Sequence, residues 1–252
     1  MNEAAAQTLE RLRSGALAGA TRLDLVGAGL DEFPREIFGL ADSLEVLNLS
    51  GNALGELPAD LARLHKLRIL FCSENRFTRL PEVLGECAQL DMVGFKSNGI
   101  AQVEGAALPP RLRWLILTDN QIAEMPAELG RRPRLQKLML AGNRLASLPY
   151  SMADCRQLEL LRIASNSFDA LPGWLFELPR LSWLACAGNP AAQESQERAV
   201  QGHPVPDIGW DALQLHEVLG QGASGVIHRA TWKHGAAQEA VAVKLFKGRI
   251  TS

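Results

Sequence analysis

The 252 residues are 47% hydrophobic and 21% charged, with a formal net charge of −2. This balance suits a folded chain with a sizeable core and gives no electrostatic reason to bind nucleic acid or an anionic membrane. No apolar run approaches the roughly 18 residues that a membrane-crossing helix needs.

The first stretch, Met1 to Arg13, reads as an amphipathic helix with Asn2 at its cap, Leu9 and Leu12 on one face, and Ser14-Gly15 ending it. Its acidic Glu3 and Glu10, without a basic-then-apolar layout, argue against a signal peptide. Its polar face is not basic, which argues against a membrane-surface anchor. A lid over one end of the adjoining core is the better reading, so residues 1–19 are assigned to a capping helix.

From Ala20 to Pro190 one pattern recurs, clearest between Leu135 and Cys155. There Leu135, Leu138 and Leu140 are followed by Asn143, Leu145, Leu148-Pro149, Met152 and Cys155. The asparagines Asn52, Asn75, Asn98, Asn120, Asn143, Asn166 and Asn189 recur every 22 or 23 residues. The matching first leucines are Leu44, Leu67, Leu90, Leu112, Leu135, Leu158 and Leu181. A degenerate turn precedes them through Leu23, Leu25, Leu30, Phe33-Pro34, Ile37 and Leu40, with Ala28 in place of the Asn.

A fixed period near 23 means a stack of supersecondary units, each unable to bury its own leucines. The L-x-L core of each turn predicts a short strand with leucines inward and the intervening residues on the other face. The chain then bends at Asn and returns along the outer side, where Pro presets the backbone and has no ladder to serve. The buried asparagines are assigned a structural role, bonding main-chain groups of adjacent turns, because an unpaired buried polar group is costly. The pattern resembles the leucine-rich-repeat family with 23-residue units. That resemblance implies an α/β fold of about eight turns: a right-handed, horseshoe-shaped solenoid with a concave parallel β-sheet.

The register also places the cysteines. Cys72 and Cys186 sit at the third inward position of their turns, and Cys87 and Cys155 at the last apolar position. All four read as small core residues, with no C-x-x-C and no disulfide or zinc. Together with the absent signal peptide, this favours a reducing cytoplasm. The histidines at 65, 203, 216, 228 and 234 form no ligand spacing, so no metal site is expected. In the fourth turn Glu104 replaces Pro and Leu108-Pro109-Pro110 shortens the return, so the outer side there is expected to lack helical character and to bulge.

The outward strand residues form the concave face. Counted from each first leucine, the third positions are Val46, Ile69, Met92, Trp114, Lys137, Leu160 and Trp183. The fifth positions are Asn48, Phe71, Gly94, Ile116, Met139, Arg162 and Ala185. Ile69, Phe71, Met92, Trp114, Ile116 and Met139 thus make an apolar tract, extended by Leu160 and Trp183. Such tracts mark interaction sites, and Trp and Met are typical anchors. A protein partner, or intramolecular docking of another domain of the same chain, is expected here, with no nucleic acid and no membrane.

Residues 191–209 are polar and Pro-containing and read as a cap or linker, with a short helix over 193–201 shielding the last turn. Beyond them, Trp210 to Leu219 alternates in its later part, with Leu213, Leu215 and Glu217 facing one way. Then come Gly220, Gly222 and Gly225, a β-branched and aromatic run to Trp232, a His234-Gly235 turn, and Val241-Ala242-Val243-Lys244. G-x-G-x-x-G alone is weak; a dinucleotide fold would need a helix opening at the third Gly, but the residues after Gly225 read as a strand.

Strand, glycine loop, strand, turn and a V-A-V-K strand resemble the start of a protein kinase small lobe of the tyrosine-kinase-like group, over residues 210–252. The resemblance implies ATP as cofactor, with Mg²⁺ in an intact parent. It also implies backbone approach to the phosphates at Gly220, Gly222 and Gly225, an adenine pocket from Leu219, Ile227 and Ala242, and Lys244 on the α- and β-phosphates. Ser224 stands where many kinases have an aromatic residue, and Ile227 replaces the usual Val.

These 252 residues hold no H-R-D-type loop and no D-F-G, so no catalytic residue is assigned and the fragment is expected to bind nucleotide weakly at best. The expectation is the interaction solenoid of a protein kinase, Ser/Thr-specific in the intact parent, with the repeats recruiting substrate or regulating the kinase. The alternative is a stand-alone repeat scaffold or effector with a vestigial tail.

Overall fold

The computed structural model describes residues 3–192, 208–222, 225–235 and 237–246, which fall into two compact units, Met1–Ala192 and Gln193–Ser252. The Asn2 cap and the helix expected over 193–201 lie outside the described residues.

In the first unit, helix α1 (Glu3–Arg13) precedes eight three-residue strands. They are β1 (Arg22–Asp24), β2 (Val46–Asn48), β3 (Ile69–Phe71), β4 (Met92–Gly94), β5 (Trp114–Ile116), β6 (Lys137–Met139), β7 (Leu160–Arg162) and β8 (Trp183–Ala185). They form one parallel sheet in sequence order, each residue paired with its equivalent in the next turn, as Leu138 with Leu161. The return runs are 3₁₀ segments such as Glu82–Glu86 and Tyr150–Asp154, following Pro81 and Pro149 in extended backbone.

Between the two layers lies one continuous core. Leu135, Leu138, Leu140 and Leu145 are fully buried, as are Met152 and Cys155 from the outer run of the same turn. Helix α1 inserts Ala5, Leu9 and Leu12 into this core, and Arg13 reaches Glu36 at 3.4 Å. The helix therefore shields the leucines of the first turn from water, which no preceding turn does. At the other end Leu184 of β8 and Cys186 just after it are only partly buried, whereas their counterparts Leu161 and Ile163 are fully so.

The asparagines form a brick-like hydrogen-bond ladder. Asn143 Oδ1 accepts the Ile122 amide at 3.0 Å, and its Nδ2 donates to Leu117 O and Leu140 O, both at 2.9 Å. Asn166 Nδ2 donates to the same Leu140 O, and Asn120 Nδ2 to the same Leu117 O. Each such carbonyl is shared by the Asn of its own turn and that of the next. This accounts for Ala28: its turn has no preceding turn to donate to a side-chain oxygen, so a buried Asn there would hold an unmatched acceptor.

Immediately before each Asn, and before Ala28 of the first turn, the chain is left-handed. Gly27, Gly51, Gly142 and Gly188 take φ of +66° to +73°, but Glu74, Ser97, Asp119 and Ser165 occupy the same place at +53° to +57°. The amide of this residue bonds the neighbouring turn, as Glu74 N to Lys96 O at 2.7 Å, so the stacking holds the conformation even where the side chain disfavours it.

The fourth turn departs from expectation. A short 3₁₀ helix does form, over Gly105–Ala107, because Glu104 adopts the extended backbone of the absent Pro (φ −83°, ψ 148°). The Glu128 side chain lies over Gly105, 2.6 Å from where a Cβ would stand. Beside it lies a groove of about 400 Å³ lined by Leu80, Gln102, Glu104, Pro126 and Glu128 among others.

The second unit is an antiparallel meander of β9 (Leu213–Gly222), β10 (Gly225–His234) and β11 (Ala237–Phe246), with β10 central. Gly235 takes φ +60° in the β10–β11 turn. The register of β9 shifts between Ile227 and His228 and again between His228 and Ala230. One consequence corrects the expectation for Glu217. Leu213 and Leu215 pair with Trp232 and Ala230, but the bulge turns Glu217 to the opposite face, where it meets Arg229 at 3.2 Å.

Candidate functional site

Strand alternation sends the third and fifth residues of each turn to the open face of the parallel sheet. One row runs Ile69, Met92, Trp114, Lys137, Leu160, Trp183; the other runs Phe71, Gly94, Ile116, Met139, Arg162, Ala185, each residue paired with the next. The structure brings the expected tract together, but not as freely exposed side chains. With strands about 4.8 Å apart, neighbouring side chains lie against one another, and all but Gly94 and Trp183 are half-buried. Trp183, at the end of the row, is 57% exposed. Gly94 is buried beneath Phe71: a Cβ there would sit 2.6 Å from Phe71 Cδ1, so the ring fills the space that a side chain would take.

Around this tract the charges are distributed unevenly. Arg68, before β3, lies 3.3 Å from Asp91 and 3.9 Å from Glu45, and Arg22 of β1 lies 2.6 Å from Asp24. Arg113 donates to Gln136 Oε1 at 2.9 Å, and Lys96 lies 3.8 Å from Asp119. Lys137 instead places Nζ 3.9 Å from the Trp114 ring centroid, a cation–π contact. Trp114 Nε1 and Arg162 Nε are buried without an acceptor among the described residues. Lys137 and Arg162 were visible in the sequence as outward residues; counting the charges on these positions would have singled them out.

In the second unit the residues assigned to ATP fall as follows. Gly222 pairs with Gly225 and Gly220 with Ile227, so the glycines flank the tip of the β9–β10 hairpin. Ile227 lies directly opposite Lys244, and Arg229 opposite Ala242, so Ile227, Ala242 and Lys244 share one face. Ile227, Ala242, Lys244 and Leu219 are exposed, Leu219 at 58%. Gly225 opens a strand and not a helix, which removes the dinucleotide-binding βαβ unit.

The cysteines are free, with Cys72, Cys87 and Cys155 buried and Cys186 partly so. Burial pushes the Cys87 and Cys155 thiols up to about 11 and Cys72 further still, the opposite of a reactive thiolate. No helix among the described residues is long and apolar enough to cross a membrane, and no cluster of ligating side chains there could hold a metal ion.

Leucine-rich-repeat family profiles match residues 110–168 and 43–64. The chain is 29% identical over 113 residues to the probable inactive serine/threonine-protein kinase roco10 of Dictyostelium discoideum, a match over 43% of this chain and 4% of that protein. It is 35% identical over 121 residues to the transforming growth factor beta activator LRRC32 of Pongo abelii, over 46% of this chain and 18% of that protein. The chain thus spans less than a fifth of the length of these relatives. Among solved structures, a leucine-rich-repeat protein of Leptospira interrogans superposes with a TM-score of 0.55 at 24% identity, covering 75% of this chain and 60% of that one. The structure of a TLR13–ssRNA13 complex gives 0.59 at 23% identity, over 67% and 25% of the two chains. Profiles and geometry agree: residues of the first unit build a leucine-rich-repeat solenoid.

Proposed function

We propose that the solenoid is a protein-interaction module whose parallel sheet receives a polypeptide partner, and that it serves a protein kinase. The observation that carries the first part is the double row from Ile69 to Met139, which places Trp114 among Met92, Ile116 and Met139 on the solvent side of the sheet. A central aromatic ringed by apolar residues is where truncation costs binding most, commonly about 2 kcal/mol or more.

Support for the kinase part comes from the second unit. Its meander puts Gly220, Gly222 and Gly225 beside a hairpin tip and Ile227, Ala242 and Lys244 on one face. In this reading the hairpin glycines let main-chain amides approach the phosphates of ATP, the apolar residues Leu219, Ile227 and Ala242 take the adenine, and Lys244 takes the α- and β-phosphates. Phosphoryl transfer would then draw on a Mg²⁺-binding Asp and a positioned base outside these residues.

Three experiments test the proposal. Trp114→Ala should weaken capture of a defined partner at least about tenfold while the chain still melts cooperatively; retained capture would remove the face. Reading the coding sequence beyond Ser252 should show a catalytic-loop Asp and a D-F-G Asp. In that longer protein Lys244→Met should abolish ATP-dependent phosphorylation with the repeats still folded. A stop codon there would instead favour a repeat scaffold with a vestigial tail.

A further inference from the structure

On the proposed interaction face, the cations are held differently along the sheet, and Arg113, midway, rests on the neutral Gln136 side chain. Those toward the N-terminal half are neutralised in place: Arg22 by Asp24, Arg68 by Asp91 and Glu45, and Lys96 by Asp119. Lys137 and Arg162, on adjacent strands β6 and β7, have no carboxylate within ion-pair distance among the described residues. From β2 to β8, the third and fifth positions carry no acidic residue at all. Lys137 settles over Trp114, and buried N–H groups of Trp114 and Arg162 are left without acceptors. Lys137 and Arg162 are only half-buried, so an oxygen acceptor arriving at this end of the face can pair with their charges.

We infer that the partner is an acidic polypeptide segment, one that brings a carboxylate to Lys137 and Arg162 and apolar side chains to the rows between Ile69 and Met139. The inference rests on the proposed interaction role and adds the chemistry of the occupant. Its charge complements the two unpaired cations, and its apolar residues match the half-buried rows beside them. From β3 to β7 the face is about 20 Å wide, four strand spacings of about 4.8 Å, a span that an extended segment of about six residues crosses. Two isolated cations on a chain of net charge −2 are a poor match for a polyphosphate backbone, whose binding grows with the number of charges neutralised.

The test uses the full chain and a displayed library of random peptides of about 12 residues, twice the length that crosses the face. Enriched binders should hold Asp or Glu beside apolar residues, and added salt should weaken them. Lys137→Gln and Arg162→Gln should each lower their affinity at least about tenfold, with Lys137→Arg restoring most of it and melts confirming that every variant folds. The inference is overturned if no peptide is enriched, or if the binders lack carboxylates. It also falls if both glutamine variants are tolerated, or if a mixed-sequence single-stranded RNA binds more tightly than any peptide. Loss of binding in Trp114→Ala with tolerance of both glutamine variants would leave the interaction face standing and refute only its acidic partner. Tolerance of all three would refute the face as well.

Discussion

Asn143→Ala probes the ladder where it is most enclosed. Asn143 is 9% exposed and makes three hydrogen bonds of 2.9–3.0 Å. Alanine strands the Ile122 amide outright, a loss of about 1–3 kcal/mol for a buried donor. The two carbonyls fare better, because Leu117 O keeps Asn120 and Leu140 O keeps Asn166, so together they add about 1 kcal/mol. The expected destabilisation is therefore about 3 kcal/mol. It would be read as a shift in urea midpoint at constant slope, since a changed slope would signal loss of cooperativity between turns. Asn52→Ala is the control. It frees Leu30 N and Leu25 O, but Asn52 is only half-buried, so water takes over part of the role and about 1 kcal/mol is expected. Asn143→Asp should melt below Asn143→Ala at neutral pH, because it aims a carboxylate at two carbonyl oxygens. A midpoint for Asn143→Ala within about 0.5 kcal/mol of the parent chain would refute the ladder as a source of stability.

Other outcomes rest on the same geometry. Glu74→Gly should stabilise the chain by about 0.5–1 kcal/mol, since it removes a side chain from a φ of +54°; a loss in a thermal melt would mean that Glu74 makes an offsetting contact. Leu140→Ala, at a fully buried site, should cost about 2–5 kcal/mol. Trp114→Ala, half-buried beneath Lys137, should cost about 1–2 kcal/mol, and equal losses would show that the two faces of the sheet had been confused. With a thiol-specific reagent on the folded chain at mildly alkaline pH, Cys186 alone should react promptly; rapid labelling of Cys87 or Cys155 would contradict their burial.

The order and faces of the solenoid strands were legible from the repeat alone. Spacing is a local, reiterated property, and only one assignment lets Leu135, Leu138 and Leu140 and all their counterparts be buried together. The requirement that the asparagines bond main-chain groups came from the same register, and so did the rows of the open face. The meander of the second unit was readable in outline because its glycines and β-branched runs are themselves local signals.

What remained depends on contacts between residues about 23 positions apart or across a hairpin, and only the tertiary structure decided it. Phe71 covers Gly94 because those two meet in adjacent strands, and this turns an open tract into a half-buried one. Glu74, Ser97, Asp119 and Ser165 accept a left-handed backbone that their types disfavour because the next turn holds each of their amides. Two bulge irregularities in β9 move Glu217 to Arg229, where alternation alone had placed it with Leu213 and Leu215. Arg68 and Lys137 are both outward-region cations in the sequence, yet one is neutralised by neighbouring turns and the other rests on an indole. Inward leucines answer to water, which is the same at every turn; an outward side chain answers to its particular neighbours, and those are known only once the turns are stacked.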